Sequence, residues 1–143
     1  MGESKIEQKN CSDKLLARIR ADFPDFRFVH GDKFSFRPPR TIVVGPDEDS
    51  RSLLILHELG HALCGHRDFG TSVRRLKMER EAWEKARELC DSYGVSYEED
   101  VVEAELDTYR DWLDKKSRCP VCGLTRFQAP DGTYHCPRCE NFS

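Results

Sequence analysis

The sequence has no long hydrophobic run. Its longest wholly aliphatic stretch, Leu53 to Leu56, is far shorter than the about 20 apolar residues that cross a bilayer. The first ten residues are polar and lack the apolar segment of a secretory signal peptide. Ile6 lies four residues after Gly2, at the position where an N-myristoylation signal requires Ser or Thr. No lipid anchor is therefore indicated. These absences predict a soluble protein of the cytoplasm with no membrane partner.

A strong charge of either sign is also missing. The 23 Lys and Arg residues are offset by 26 Asp and Glu residues, which leaves a net charge of -3. The whole chain therefore has no overall electrostatic drive toward nucleic acid or an anionic membrane. Charged residues make up 34% of the 143 positions and hydrophobic residues 38%. This composition predicts one compact domain with a modest core and, at most, a small appendage.

Seven cysteines do not indicate a disulfide framework, because the chain lacks a secretory signal. Four of them form two Cys-x-x-Cys pairs, separated by thirteen residues: Cys119, Cys122, Cys136 and Cys139. This spacing predicts a zinc ribbon over residues 117–143, with four thiolates around a structural zinc ion and a hairpin turn at Asp131-Gly132. The metal would stabilise a segment too short to bury a core. The other three cysteines are expected to be reduced thiols.

A second metal-binding motif lies in the apolar segment 53–63. His57, Glu58 and His61 form the pattern His-Glu-x-x-His. Residues four apart share one face of a helix, so the two histidines can close on one zinc ion while Glu58 reaches a water that the ion holds. Two ligands and a general base are what a zinc hydrolase requires. The same pattern occurs by chance in helices, but its apolar surroundings favour a rigid metal site.

Periodicity predicts four helices and three short strands. The helices cover residues 6–21, 50 to about 65, 73–93 and 96–116, and the strands cover 26–30, 34–37 and 41–44. Gly94 closes the third helix, and Ser96 with Glu99 matches a capping box at the fourth. The turn signals between the strands favour a small antiparallel sheet. An edge strand of such a sheet commonly holds an extended peptide by main-chain hydrogen bonds.

The third zinc ligand must come from outside the motif, and sites of the gluzincin kind take a glutamate from a neighbouring helix. Four glutamates of the third helix have this chemistry: Glu79, Glu81, Glu84 and Glu88. Glu81 is chosen because it precedes Ala82, a small residue that lets two helices approach. His66 follows His61 by five residues, one fewer than in the metzincin pattern. It is expected at the end of the helix or at the rim of the cleft, and its role as a metal ligand is left undecided. Cys64 is interpreted as a small buried residue.

The segments His-Glu-Leu-Gly-His-Ala-Leu-Cys-Gly-His and Glu-Arg-Glu-Ala-Trp-Glu-Lys-Ala resemble the ImmA/IrrE family of small zinc metallopeptidases. The resemblance covers roughly residues 25 to 95. It implies zinc, a minimal gluzincin-like domain and cleavage of regulatory proteins such as transcriptional repressors. The family's Glu-Ala pair carries the third-ligand role over to Glu81. Trp83 stands where the family often has Asn or Asp.

The expected fold class is α+β, with helices packed on a small antiparallel sheet in a zincin-like domain over residues 1–116 and the zinc ribbon over 117–143. The first functional hypothesis is a zinc-dependent endopeptidase with two zinc ions per chain. Zinc held by His57, His61 and Glu81 would activate water, and Glu58 would act as general base. Three tyrosines stay open as donors to the developing oxyanion: Tyr93, Tyr97 and Tyr109.

The alternative hypothesis is a non-enzymatic zinc-containing regulator that contacts protein or nucleic acid through the ribbon. From position 115 to the end of the sequence there are five Lys/Arg and two Asp/Glu. This small excess of positive charge is compatible with weak nucleic-acid contact. Because the excess is modest, protein recognition or a structural cap is the favoured role of the ribbon. For the first hypothesis the partner is a protein or peptide substrate, with a transcriptional regulator as one candidate.

Overall fold

Four helices and two small sheets make up the described part of the protein, a computed structural model that covers residues 5–46, 49–67 and 70–140. The chain is therefore α+β, as predicted. The elements follow in the order α1 (Lys5–Asp22), β1 (Arg27–His30), β2 (Ser35–Arg37), β3 (Thr41–Val44), α2 (Arg51–Leu63), α3 (Ser72–Tyr93), α4 (Glu99–Ser117), β4 (Phe127–Gln128) and β5 (Tyr134–His135). Within these residues, no helix combines the length and apolar character that a membrane span requires.

The three-stranded sheet has the order β1-β3-β2 and is mixed. Strand β2 pairs antiparallel with β3, as predicted, but β1 pairs parallel with β3, so the prediction of an antiparallel sheet is wrong for that pair. The reason lies in β3, where the consecutive residues Ile42, Val43 and Val44 are all buried. A strand buried on both faces takes the centre of a sheet. The chain after β1 therefore runs to the far edge, and β3 returns between the other two strands.

The first compact unit contains Met1–Arg67 and Glu81–Tyr97. Its core includes Ile19 of α1, Ile42 of β3 and a run of α2 that contains Ile55, Leu56 and Leu59, all buried. Helix α2 packs against α1, β2 and β3. It ends at Leu63, and Gly65 follows with a φ of 68°. This packing fixes the helix that carries the His-Glu-x-x-His motif.

The second compact unit contains residues 68–80 and 98–143. The boundary between the units falls inside α3, which is a continuous helix. In this second unit Val102 and Leu106 of α4 are buried, and the guanidinium of Arg75 lies 4.8 Å from the ring centroid of Trp112. The predicted domain boundary at position 117 stays a prediction.

The ribbon hairpin forms where the sequence predicts it. Strands β4 and β5 pair antiparallel, and Gly132 occupies the turn with a φ of 92°. The Asp131 carboxylate accepts a hydrogen bond from the backbone N–H of Thr133 at 3.0 Å, as is usual for Asp in a tight turn. By contrast, the capping box predicted at Ser96 is wrong, because α4 begins at Glu99 and its N-cap has no side-chain hydrogen bond.

Candidate metal centres

Helix α2 places all three residues of the His-Glu-x-x-His motif in a buried position. His57 and His61 are one turn apart, with ring centroids separated by 4.8 Å. The Oε1 atom of Glu58 lies 3.7 Å from Nδ1 of His57. The predicted helical spacing therefore brings two imidazoles and one carboxylate into one small volume.

Glu79 of α3 joins the two histidines. One ligand atom from each of His57, His61 and Glu79 lies within 4.8 Å of the other two. The Glu79 residue is 8% exposed. Two imidazoles and one glutamate are the ligand set of the His₂Glu zinc hydrolases, so the chemistry of these donors fits a zinc ion.

Glu81, chosen from the sequence as third ligand, has different surroundings. Its side chain is 42% exposed, and its Oε2 atom lies 3.2 Å from Nε2 of His66. The group of potential metal ligands found in the described residues includes Glu79 and not Glu81. Direct ligation by Glu81 stays a prediction that this placement does not favour.

The helix geometry explains the difference between the two glutamates. Helices α2 and α3 approach closely at Gly60, where an added Cβ would lie 2.5 Å from the carbonyl oxygen of Ala82. The small residue at position 82 thus marks the approach, as expected. Residues three apart share a helix face, whereas neighbours differ by about 100°. Glu79 therefore shares the face of Ala82, and Glu81 does not.

His66 lies against the motif and not at the rim. It is buried, and its Nδ1 atom is 2.9 Å from Nδ1 of His61. It is thus in contact with both a candidate ligand and Glu81. Cys64, in contrast, is exposed, so the prediction that it is buried is wrong. Cys64 directly follows the end of the helix at Leu63 and is exposed, whereas the ring of His66 lies beside the ring of His61.

Two aromatic side chains flank the histidines. The fully buried indole of Trp83 stacks on the His57 ring, with centroids 4.0 Å apart and planes 8° from parallel. Phe36 of β2 lies parallel to the His61 ring at 6.4 Å. In the sequence, Trp83 is notable only as a departure from a family pattern. Its position four residues after Glu79, on the same helix face, was the available signal.

Three tyrosines were candidate donors to the oxyanion, and one of them, Tyr93, forms a hydrogen bond with a residue outside the site. Its hydroxyl donates to Oδ2 of Asp22 at 2.6 Å. Burial, together with this hydrogen bond, raises the pKa of Tyr93 to about 12. Tyr109 lies under the guanidinium of Arg75, 5.4 Å from its ring centroid. No oxyanion donor is assigned among them.

The four ribbon cysteines form the second group that can hold a metal ion. Their sulfur atoms all lie within 4.8 Å of one another, with Cys119 and Cys139 at 3.8 Å and Cys122 and Cys136 at 3.6 Å. A tetrahedral site with zinc–sulfur bonds of about 2.3 Å requires sulfurs about 3.8 Å apart. The distances within these two pairs are close to this value, so the four side chains fit a zinc ion.

The protonation of these thiols also fits a metal centre. The backbone N–H groups of Cys122 and Val121 lower the pKa of Cys119 to about 6. Hydrogen bonds with Cys122 and Cys136 raise the pKa of Cys139 to about 12. One sulfur is thus held as a thiolate while another keeps its proton, and a divalent cation is what allows all four to ionise together.

Comparisons with family models, with curated proteins and with solved structures found no match for this chain. The geometry of the two candidate centres is therefore the basis for the function of this protein.

Proposed function

We propose that the protein is a zinc-dependent endopeptidase, with His57, His61 and Glu79 as zinc ligands and Glu58 as general base. The observation that supports this proposal is the buried cluster in which three ligand atoms lie within 4.8 Å of one another. Glu58 is adjacent to His57 in the chain and is buried beside it. Three protein ligands leave a fourth position for water or substrate, the arrangement of catalytic rather than structural zinc.

The bound metal and the residues around it have separate roles in the proposed reaction. When bound, zinc supplies Lewis acidity and lowers the pKa of a coordinated water. Glu58 takes a proton from the attacking water and passes it to the leaving amine, the role of a positioned general acid–base residue. The stacked indole of Trp83 restricts rotation of the His57 ring, so that this ligand is held in one orientation.

The proposal changes one residue from the sequence-based hypothesis. The third ligand becomes Glu79 instead of Glu81, for the reasons of burial and helix face given above. The ImmA/IrrE resemblance implies a glutamate from the Glu-Ala pair, and the proposed ligand lies two residues before it. The remaining elements of the resemblance, a zincin-like domain and a regulatory protein as substrate, are retained in the proposal.

The ribbon is proposed as a structural zinc site, which gives two zinc ions per chain. Its four sulfurs complete a tetrahedral set, so no position remains open for substrate. Binding of a protein partner, or weak contact with nucleic acid, is the remaining role for its surface. Phe127, which is exposed, stacks on His135 at 5.3 Å within this segment.

The decisive experiment compares Glu58→Gln with the wild-type protein. Both zinc-loaded proteins are incubated with a library of peptides from a digested proteome, and new termini are identified by mass spectrometry. Glu58→Gln should keep two zinc ions and lose about 10²- to 10⁴-fold in cleavage rate, the usual contribution of a general base. Glu88→Gln, which alters an exposed carboxylate paired with Lys85, is the matched control and should cleave normally.

Equal cleavage by Glu58→Gln and the wild type would refute this mechanism. A wild-type protein that binds zinc at the ribbon alone would refute the proposed metal centre. Biological activity that is unchanged in Glu58→Gln would favour the non-enzymatic regulator instead.

A further inference from the structure

We infer that Glu81 and His66 are positioning residues for His61: they fix its tautomer so that Nε2 is the nitrogen available to the metal ion. This inference rests on the proposed function, since it gives the ligand His61 a supporting chain of hydrogen bonds. The chain runs from the Glu81 carboxylate through the His66 ring to the His61 ring. All three residues belong to the first compact unit.

The contact with His66 engages one ring nitrogen of His61. Nδ1 of His61 lies 2.9 Å from Nδ1 of His66, so a metal ion is bound through the other ring nitrogen, Nε2. An imidazole binds a metal through its unprotonated nitrogen and carries its proton on the other nitrogen, which donates to a neighbouring acceptor.

The order of protons in the metal-loaded chain follows from this geometry. With the metal on Nε2, Nδ1 of His61 donates to Nδ1 of His66, which accepts. His66 then carries its proton on Nε2, which lies 3.2 Å from Oε2 of Glu81 and donates to that carboxylate. Glu81 and His66 thus support the tautomer of His61 that binds the metal through Nε2.

The backbone explains how a histidine at an off-pattern spacing reaches this place. Helix α2 ends at Leu63, and Gly65 adopts a φ of 68°, which turns the chain back on itself. The N–H of Gly65 donates to the carbonyl of Ala62 at 3.1 Å, and the N–H of His66 donates to the carbonyl of His61 at 3.1 Å. This helix-terminating turn brings the ring of His66 beside the ring of His61, where it is buried.

Supporting hydrogen bonds of this kind have a measurable effect. A ligating histidine usually donates its other ring N–H to a neighbouring acceptor, and loss of that acceptor typically lowers metal affinity 10- to 100-fold. In this protein the acceptor is another histidine, whose own orientation depends on a carboxylate. His66→Phe and Glu81→Ala should therefore have effects of the same size and should not be additive, because they interrupt one chain.

The test measures metal affinity with cobalt(II) as the probe. Cobalt at the ribbon gives sulfur-to-metal charge-transfer bands, whereas cobalt at a nitrogen and oxygen site gives only weaker visible bands, so the two sites are titrated separately. His66→Phe and Glu81→Ala should each weaken the nitrogen and oxygen site by about 10- to 100-fold and leave the ribbon unchanged. Glu81→Gln keeps an acceptor oxygen and should restore most of the affinity. Glu88→Ala, on the same helix, is the control and should match the wild type.

A second readout addresses the tautomer itself. In the zinc-loaded wild type, ¹⁵N-resolved NMR of the imidazoles should show a proton on Nδ1 of His61, protected from exchange with water. In His66→Phe this proton should exchange rapidly. A zinc-loaded wild type with the proton on Nε2 of His61 would overturn the inference, even if the variants bind metal poorly.

The outcomes separate this inference from the proposed function. If the wild type binds two metal ions and cleaves peptides while His66→Phe and Glu81→Ala retain full affinity, the positioning role is wrong and the proposed function stands. If Glu81→Ala removes the metal and Glu79→Ala does not, Glu81 is itself the ligand and the inference is overturned. If the wild type binds metal only at the ribbon, the proposed function fails and the inference fails with it.

Discussion

Glu79 and Glu81 lie two positions apart on α3 and have different surroundings. One carboxylate is buried beside two histidines, and the other is partly exposed and contacts His66. Their surroundings differ because a helix turns by about 100° per residue, so two residues two positions apart face different directions. At the scale of single residues, the rotation of α3 about its axis therefore determines which glutamate lies beside the two histidines of the motif.

Removal of Glu79 should empty the proposed catalytic site. Glu79→Ala should lower the zinc content from two ions per chain to one after dialysis against zinc-free buffer, with the remaining ion in the ribbon. Loss of a direct ligand should weaken binding by more than the about 10- to 100-fold expected for a supporting residue. Elemental analysis by mass spectrometry measures the content. Two ions retained in Glu79→Ala would contradict the assignment.

Gly60 is predicted to tolerate no side chain. In an exposed helix, Gly→Ala normally stabilises by about 1 kcal/mol. Here the added Cβ would lie 2.5 Å from the Ala82 carbonyl oxygen, so the two helices must separate. Gly60→Ala should therefore lower the free energy of unfolding by about 1–3 kcal/mol, as overpacking does. Chemical denaturation followed by circular dichroism measures this change.

The comparison for this variant is Ser52→Ala, at a half-buried position near the start of the same helix. Alanine there should be nearly neutral, because it adds no atom and favours the helix. A stabilised Gly60→Ala would mean that α2 and α3 do not approach at Ala82.

At the scale of elements, the ribbon hairpin is tied to the start of α3 by Gln128. Its Oε1 accepts from the backbone N–H of Ser72 at 2.6 Å, and its Nε2 donates to the carbonyl of Gly132 at 2.8 Å. The hydroxyl of Tyr134 donates to Oγ of Ser72 at 2.5 Å. A helix N-terminus has free N–H groups, and a side-chain oxygen from the hairpin satisfies one of them here. The ribbon therefore also serves as a cap for α3.

Gln128→Ala should destabilise the second compact unit by about 0.5–2 kcal/mol, the usual cost of losing a helix cap. Gln128→Glu keeps the acceptor for Ser72 and places a negative charge at the N-terminus of the helix, so it should recover part of this loss. Thermal denaturation of the zinc-loaded proteins gives the comparison. Equal stability of all three proteins would show that the contact contributes nothing.

At the scale of the whole molecule, the seven cysteines fall into three classes of accessibility. Cys11 and Cys64 are exposed, Cys90 is buried, and the other four surround the ribbon centre. Burial raises the pKa of Cys90 to about 11, so little thiolate is present there at neutral pH. The thiolate is the reactive form of cysteine, and metal coordination protects it.

Thiol titration should therefore proceed in three steps at neutral pH. The zinc-loaded protein should expose two reactive thiols, addition of a strong chelator should raise the number to six, and denaturation should release the seventh. Coloured disulfide reagents count the thiols directly. Six reactive thiols before chelation would exclude a metal in the ribbon.

Features that depend on short-range spacing were predictable from the sequence alone. The helical His-Glu-x-x-His motif, the clustering of the four ribbon cysteines and the turn at Gly132 each involve local backbone geometry. The end of α3 at Gly94, with a φ of 70°, is of the same kind. Residue identity and spacing determine such features, whatever the rest of the chain does.

The tertiary structure decided the features that depend on how elements meet. Strand β3 took the centre of the sheet because it is buried on both faces, and this made its pairing with β1 parallel. The approach of α2 to α3 at Gly60 brought Glu79 to the histidines, and the turn at Gly65 brought His66 to His61. The sequence determined which ligands and turns were available. Packing determined which of them came together, because the rotation and approach of two helices depend on contacts between residues far apart in the chain.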